Sequence, residues 1–203
     1  MNDISQLPYS QSCENNKNAI LSILNVCFAN TQNVLEIGSG TGQHAVHFAQ
    51  HLPHLTWYPS DQSHYIEHLA LRLALEGSAN IAQPIPLDVL HTWPCDQLII
   101  DGIFTANTMH IMSESMVKAF FKGVGKHLSP GGICCIYGPF NYDNRYTSES
   151  NRQFDIWLKH RNPHSGIRDQ HKIVELAAQA QMSLTTDHEM PANNRLLQFF
   201  KNE

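Results

Sequence analysis

Val34-Leu35-Glu36-Ile37-Gly38-Ser39-Gly40-Thr41-Gly42-Gln43-His44 is the stretch on which the reading of this chain turns. Its first four residues are an apolar run interrupted by one acid, the pattern of a buried strand, and the glycines that follow end the run in a tight turn. Beyond the turn, Ala45, Phe48, Ala49 and Leu52 fall at i, i+3, i+4 and i+7, the apolar stripe of a helix that Pro53 closes. Strand, glycine turn and helix in that order suit a nucleotide-type ligand. Glycine permits the tight turn and lets a ligand approach the main chain closely. The spacing is G-x-G-x-G, whereas the G-x-G-x-x-G of dinucleotide sites would need glycine where Gln43 stands.

On either side the same alternation continues. Apolar positions predict an N-terminal helix over 16–28, a second strand over 55–60 ending at Asp61, and a helix over 63–77. A third strand over 81–89 carries Pro84 and Pro86, which limit its pairing and favour an edge position. A fourth strand over 98–106, a helix over 113–128 and a fifth strand over 132–140 follow. A helix over 170–181 then leads to strands over 183–190 and 196–201, close enough in sequence to form an antiparallel hairpin. The whole predicts an α/β fold: a mainly parallel seven-stranded sheet, helices on both faces and a C-terminal antiparallel hairpin.

The 203 residues suit one domain, since domains commonly run to roughly 100–200 residues. Within it, 1–30 reads as an N-terminal helix or lid. Residues 141–166, polar and dotted with aromatics, read as a substrate-loop insertion with one short helix near 150–160. Thirteen Lys and Arg against 18 Asp and Glu give −5, which opposes a protein held on nucleic acid by positive charge. Residues 1–10 have no basic, apolar leader pattern, and no apolar run approaches the roughly 18 residues of a membrane span, so a soluble cytoplasmic protein is expected. Five cysteines without a C-x-x-C fit a reducing compartment, and Cys134 and Cys135 read as small buried residues of the fifth strand.

Asp61 comes 23 residues after Gly38, where a carboxylate can accept hydrogen bonds from both hydroxyls of a ribose. Asp88 and Val89 close the third strand, within reach of an adenine edge. Three acids at successive strand ends (Glu36, Asp61 and Asp88) beside the glycine turn point to S-adenosylmethionine as the cofactor.

VLEIGSGTG with the acid after the second strand resembles the class I S-adenosylmethionine-dependent methyltransferases. More narrowly, CENNKNAIL, VLEIGSGTGQHAVHFA, YPSD, LDV, ANTMHI, YGPF, SNRQFD, RNPHSGIRD and MPANN make the chain similar to the methyltransferase-like protein 26 family, long described as a domain of unknown function. The resemblance implies a glycine turn wrapped around the methionine part of the cofactor. Its candidate cofactor residues are Glu36, Gly38, Ser39, Gly40, Gly42, His44, Asp61, Asp88, Val89 and Asn107. Asn15 departs from an arginine expected in that pattern, and Ser165 from a tryptophan, both in segments read as facing the substrate.

Methyl transfer is an in-line displacement from an activated sulfonium, so the protein must chiefly position the reactants and remove a proton from a protonated acceptor. His110, past the fourth strand, is the candidate base or orienting group, with Tyr137 and Asn194 as further catalytic candidates. Asn107 could hold the cofactor's amino group or the acceptor. Glu14, Asn193 and Arg168 are candidate substrate contacts, Glu14 as part of a closing N-terminal segment. Asp169, just ahead of a helix, reads as a cap. His44, His47, His51 and His54 fall opposite the apolar stripe of their helix and read as a polar outer face, so no metal is expected. A small-molecule methyl acceptor is the expected partner. The competing readings are a noncatalytic cofactor-binding module and a nicotinamide-dependent oxidoreductase.

Overall fold

Five parallel strands, β1 (Asn33–Ile37), β2 (Thr56–Asp61), β3 (Ile85–Pro86), β4 (Ile100–Ala106) and β5 (Leu128–Gly138), form the body of the sheet. The short pair β6 (Phe140–Asn141) and β7 (Arg168–Asp169) lies apart, and β8 (Met182–Met190) and β9 (Asn194–Lys201) close the main sheet antiparallel to β5. The order is β3-β2-β1-β4-β5-β9-β8, so the glycine-turn strand is an interior one, flanked by β2 and β4. The computed structural model describes residues 7–203. The first six residues of the 1–30 segment, and with them much of the stretch 1–10 read for a leader, lie outside the described residues.

Alternation along the strands divides the core in two. Val34, Phe104, Cys135 and Tyr137 point to one face, where α1 (Gln11–Cys27) and α2 (Gln43–His51) cover them. Leu35, Ile103, Cys134 and Ile136 point to the other, under α4 (Glu114–His127) and α6 (Gln170–Gln179). In sequence, α3 (Ile66–Glu76) comes between the two pairs and α5 (Glu149–Arg161) between α4 and α6. Side chains two apart share a face in a strand, so a run apolar at every position fills both layers. Cys134 and Cys135 are fully buried, with desolvation raising both thiol pKa values.

Several boundaries differ from the sequence expectation for local reasons. α1 starts at Gln11, five residues earlier, because Ser10 caps it and accepts from the Cys13 amide at 3.3 Å. The polar residues of its first turn disguised it. Only Ile85–Pro86 pair as β3, besides an isolated bridge from Ile81 to Trp57, since Pro84 and Pro86 have no amide to donate. The helix expected over 63–77 opens as a 3-10 turn, Ser63–Tyr65, before α3. β5 begins at Leu128 and passes a register shift at Gly131, whose φ is +78°.

The histidine face of α2 needs a correction. His44 is 5% exposed, stacks on Phe48 at 5.1 Å and hydrogen-bonds Asn16 at 2.7 Å. α1 lies across that side of α2, so the outer face is polar at His51 but is an interface at His44, and His54 lies beyond the end of the helix.

Candidate functional site

Two clefts open at the C-terminal ends of the central strands, and Asn107 lines both. The first, about 510 Å³, runs over the glycine turn past Gly40, Asp61, Leu87 and Val89 to Met112. The second, about 350 Å³, lies between α1, the end of β5, α5 and the β8–β9 connection. Open parallel sheets gather ligands at this edge because the loops there diverge to either face.

The turn that forms the first cleft is tied down from below. Gly38 and Ser39 donate their amides to Ser60 O, each at 2.9 Å, which locks the end of β1 to β2. Gly38 has φ +75°, and a Cβ there would come within 2.7 Å of Thr108 Cγ2. Gly40 has φ +54°, and a Cβ there would meet nothing within 4 Å. The main chain at Gly40 therefore faces open cleft, the cradle a ligand needs. Asp61 accepts from Gly40 N at 2.6 Å and Gln62 N at 2.7 Å. Burial raises its pKa, and the two amides oppose that by stabilising the anion.

Glu36 lies beneath the turn rather than in the cleft. It accepts from Ser39 Oγ at 2.9 Å and Trp57 Nε1 at 3.0 Å, and its burial raises its pKa to about 7. Asp88 accepts from Gln62 Nε2 and from the Leu90 amide, so it steadies a lining residue without lining the cleft itself. Gln43, the residue that breaks the dinucleotide spacing, has a positive task. Its Oε1 accepts from Ser10 N at 2.6 Å and its Nε2 donates to Glu14 at 2.7 Å, pinning the start of α1 across the turn. Pro8 and Ser10 thereby form part of the first cleft.

Asn107 carries the junction. It leaves β4 with φ +59°, a conformation asparagine tolerates better than most residues, while its amide donates to Tyr137 O at 2.8 Å. Thr105 Oγ1 bonds both Ile37 O and Thr108 Oγ1, fixing the chain on each side. His110 follows, 4% exposed, with its ring edge-on to Phe154 at 5.1 Å. Its Nδ1 has no hydrogen-bond partner among the described residues and faces Gly138, whose Cβ position would lie 3.7 Å away beside Asn107. Desolvation, aided by the Arg168 charge, lowers its pKa to about 4, so the imidazole is neutral near pH 7.

Arg168 braces this loop. Its guanidinium donates to the carbonyls of Met109, Met112 and His164, while Ser165 Oγ donates to Ile111 O and Gly166 N to His110 O. Arg168 lines a separate cleft on the far side of the loop, with Lys118 and Lys172. Asp169 caps α6 through the His171 amide, as its position implies.

In the second cleft, Tyr137 is 2% exposed, and burial raises its pKa against the opposing effect of the Asn16 and Asn194 side chains. Of the residues read from sequence, the first cleft gathers Gly38, Gly40, Asp61, Val89 and Asn107, and the second Asn107, Tyr137 and Asn194. Ser39, Gly42 and His44 support the turn and α2 from behind. Glu14 lines another cleft, beside Lys17 and Arg72, and exposed Asn193 lines neither, its carbonyl accepting from Asn151. The second cleft is also lined by Asn15, whose segment was read as facing the substrate, and by Asn16, Ser150, Asn151 and Phe154, which were not singled out. Local spacing gives these four no role, because they come from two elements, α1 and α5, that only the fold brings together.

Among the described residues no group of three or more His, Cys, Asp or Glu side chains is placed to hold a metal ion, and no helix is long and apolar enough to cross a membrane.

The fold is that of the S-adenosylmethionine-dependent methyltransferases. An O-methyltransferase family protein from Burkholderia thailandensis superposes with a TM-score of 0.80 over 92% of this chain, at 13% identity. The S-adenosylmethionine-dependent methyltransferase SibL gives 0.77 over 95% at 18% identity. An O-methyltransferase family 2 protein from Planctomyces limnophilus, solved with apigenin, gives 0.79 over 94% at 14% identity. The match covers 56%, 56% and 57% of those three chains, so this chain spans little more than half their length. Residues 7–201 match the family described as "Protein of unknown function (DUF938)", and the chain belongs to that family.

Proposed function

We propose that this chain is an S-adenosylmethionine-dependent methyltransferase that acts on a hydroxyl of a small molecule. The observation that carries the reading is the meeting of two clefts at Asn107, one built on the glycine turn and Asp61 and the other apart from it. The residues present fit the cofactor. Gly38 and Gly40 would hold its methionyl part, Asp61 its ribose hydroxyls, and Leu87 and Val89 its adenine. Bound there, the cofactor supplies a methyl group already activated on a sulfonium. The protein's part is to orient the acceptor, keep out water and take up a proton. His110 Nδ1, neutral and unpartnered, takes that proton once the Phe154 ring moves aside. Low sequence identity leaves the structural neighbours as support for fold, and their O-methyltransferase names as support for the choice of a hydroxyl. The resemblance to the methyltransferase-like protein 26 family belongs to the same reading, as do a single domain and a cytoplasmic setting without nucleic acid.

One observation favours a second reading, a binding module without turnover: His110 lines neither cleft and lies under Phe154. Calorimetry with S-adenosylmethionine, S-adenosylhomocysteine and NAD tests the cofactor, and binding of NAD alone would end the proposal. Transfer of radiolabelled methyl to an acceptor library then separates enzyme from module. His110→Ala should lower kcat by about a hundredfold, the usual worth of a general base, with the Kd for S-adenosylmethionine unchanged. Unchanged turnover would remove His110 from the chemistry.

A further inference from the structure

The second cleft has an unusual chemistry for its depth. Five of its lining residues are asparagines, Asn15, Asn16, Asn107, Asn151 and Asn194, and none of its lining side chains is charged. Tyr137 and Phe154 add aromatic rings, and Pro139 and Pro191 add flat apolar surface. His110 and His44, behind the lining residues Phe154 and Asn16, are neutral at pH 7.

From this we infer that the molecule taken by the second cleft is an uncharged, planar aromatic or heteroaromatic compound bearing both a hydroxyl and an amide-like group. The inference names the substrate class of the site proposed above and rests on that reading. Its argument is one of matching. An ionised group entering this cleft would shed water and find no opposite charge, whereas a neutral ring loses little and packs against Phe154 and Pro191, the less buried of its apolar lining residues.

The hydrogen-bonding edges left free then select the polar groups. Asn151 spends both amide hydrogens on Thr147 Oγ1 and Asn193 O, so its Oδ1 remains an acceptor. Asn15 Oδ1 is used by Gln11, so its Nδ2 remains a donor. Asn107 has neither edge engaged among the described residues, and it stands where the two clefts join. A cleft offering donors and acceptors together, without charge, is complementary to an amide, a lactam or a similar edge that does the same. A site built for such a group rejects analogues that cannot pair with it, because the Oδ1 of the buried Asn151 would be left alone.

The test uses three probes that share one ring and one hydroxyl: 4-hydroxybenzamide, 4-hydroxybenzoate and 4-hydroxybenzylamine. Their binding to the full chain is measured by ligand-observed NMR and calorimetry, with and without S-adenosylhomocysteine. The expected result is that the neutral amide binds at least about tenfold tighter than either ion, one order of magnitude in Kd. Asn15→Asp, at an exposed rim position, places a carboxylate in the wall and should move the preference towards the benzylammonium ion. An unchanged thermal unfolding temperature would show that variant to be folded. Preference for an ionic probe in the unaltered chain, no binding of any of the three, or no change of preference in Asn15→Asp overturns the inference. Failure of S-adenosylmethionine to bind, with the neutral preference intact, would instead remove the methyltransferase reading and leave the cleft's selectivity standing.

Discussion

At Gly40 the demands of ligand and backbone can be told apart. Gly38 and Gly40 both have positive φ, but only Gly38 is also hemmed in, by Thr108. Gly40→Ala should therefore cost only the backbone term, of order 1 kcal/mol, yet place a methyl group in the first cleft. Calorimetry should show the Kd for S-adenosylmethionine rising tenfold or more, with a small loss in thermal unfolding temperature. Gly38→Ala should show the reverse weighting, a larger loss of stability from backbone strain plus the clash. The need for glycines was legible in the spacing itself. Which glycine serves the fold and which the ligand was not, because that depends on Thr108, seventy positions away.

Between elements, the decisive object is the strap 164–168 laid over the loop that follows β4. Arg168 reads in sequence as a possible anion contact, and in the fold its guanidinium is spent on three main-chain carbonyls. Removing it strands those carbonyls, each charge-assisted bond being worth about 1.5–3 kcal/mol. Arg168→Met should thus lower the unfolding temperature by several degrees, at about 2–4 °C per kcal/mol for a chain of this size. It should also speed hydrogen exchange at the Gly166 amide, which donates to His110 O at 2.8 Å. Protection unchanged there would mean that the strap is held by Ser165 and Asp155 alone. Asp155, buried at 1% exposure, accepts from Tyr146, Lys159 and Ile167 N and so folds the 141–166 insertion on itself. The short helix in that insertion was readable from its apolar spacing. Its seat over His110 was not, because polar anchors such as Asp155 look like surface residues in one dimension.

Over the whole molecule, buried titratable groups set the response to pH. Desolvation lowers His44 and His110 from 6.5 to about 4, so between those values the unfolded chain binds protons that the folded chain refuses. Their contribution to stability is present above pH 6.5 and is lost as pH falls through that window. Glu36, raised from 4.5 to about 7, acts in the opposite sense: the folded chain keeps its proton, and the benefit is lost as pH rises from 4.5 to 7. Together with His47, which burial lowers to about 4 in the same way, the two histidines outweigh the one carboxyl below pH 6.5, three groups losing stability on acidification against one that gains it. Thermal scans should therefore show the unfolding temperature rising as pH is raised from 4.5 to 6.5, and Glu36→Gln should steepen that rise. A fall in unfolding temperature across the same range would contradict that balance. Of the 13 histidines, His44 and His110 are buried and oppose protonation.

By itself the sequence determined the succession of strands and helices that makes a mainly parallel sheet, the glycine turn, the acid at Asp61 and the antiparallel ending. Each is encoded locally, in the period of apolar residues or in the backbone freedom of glycine, and so can be read without neighbours. Only the tertiary structure decided what surrounds the second cleft: Asn15 and Asn16 from α1, Asn107 after β4, Asn151 from α5 and Asn194 after the last turn. Asparagine is common in turns and caps for reasons of its own, so five of them scattered over a chain carry no signal until the sheet brings them around one uncharged space.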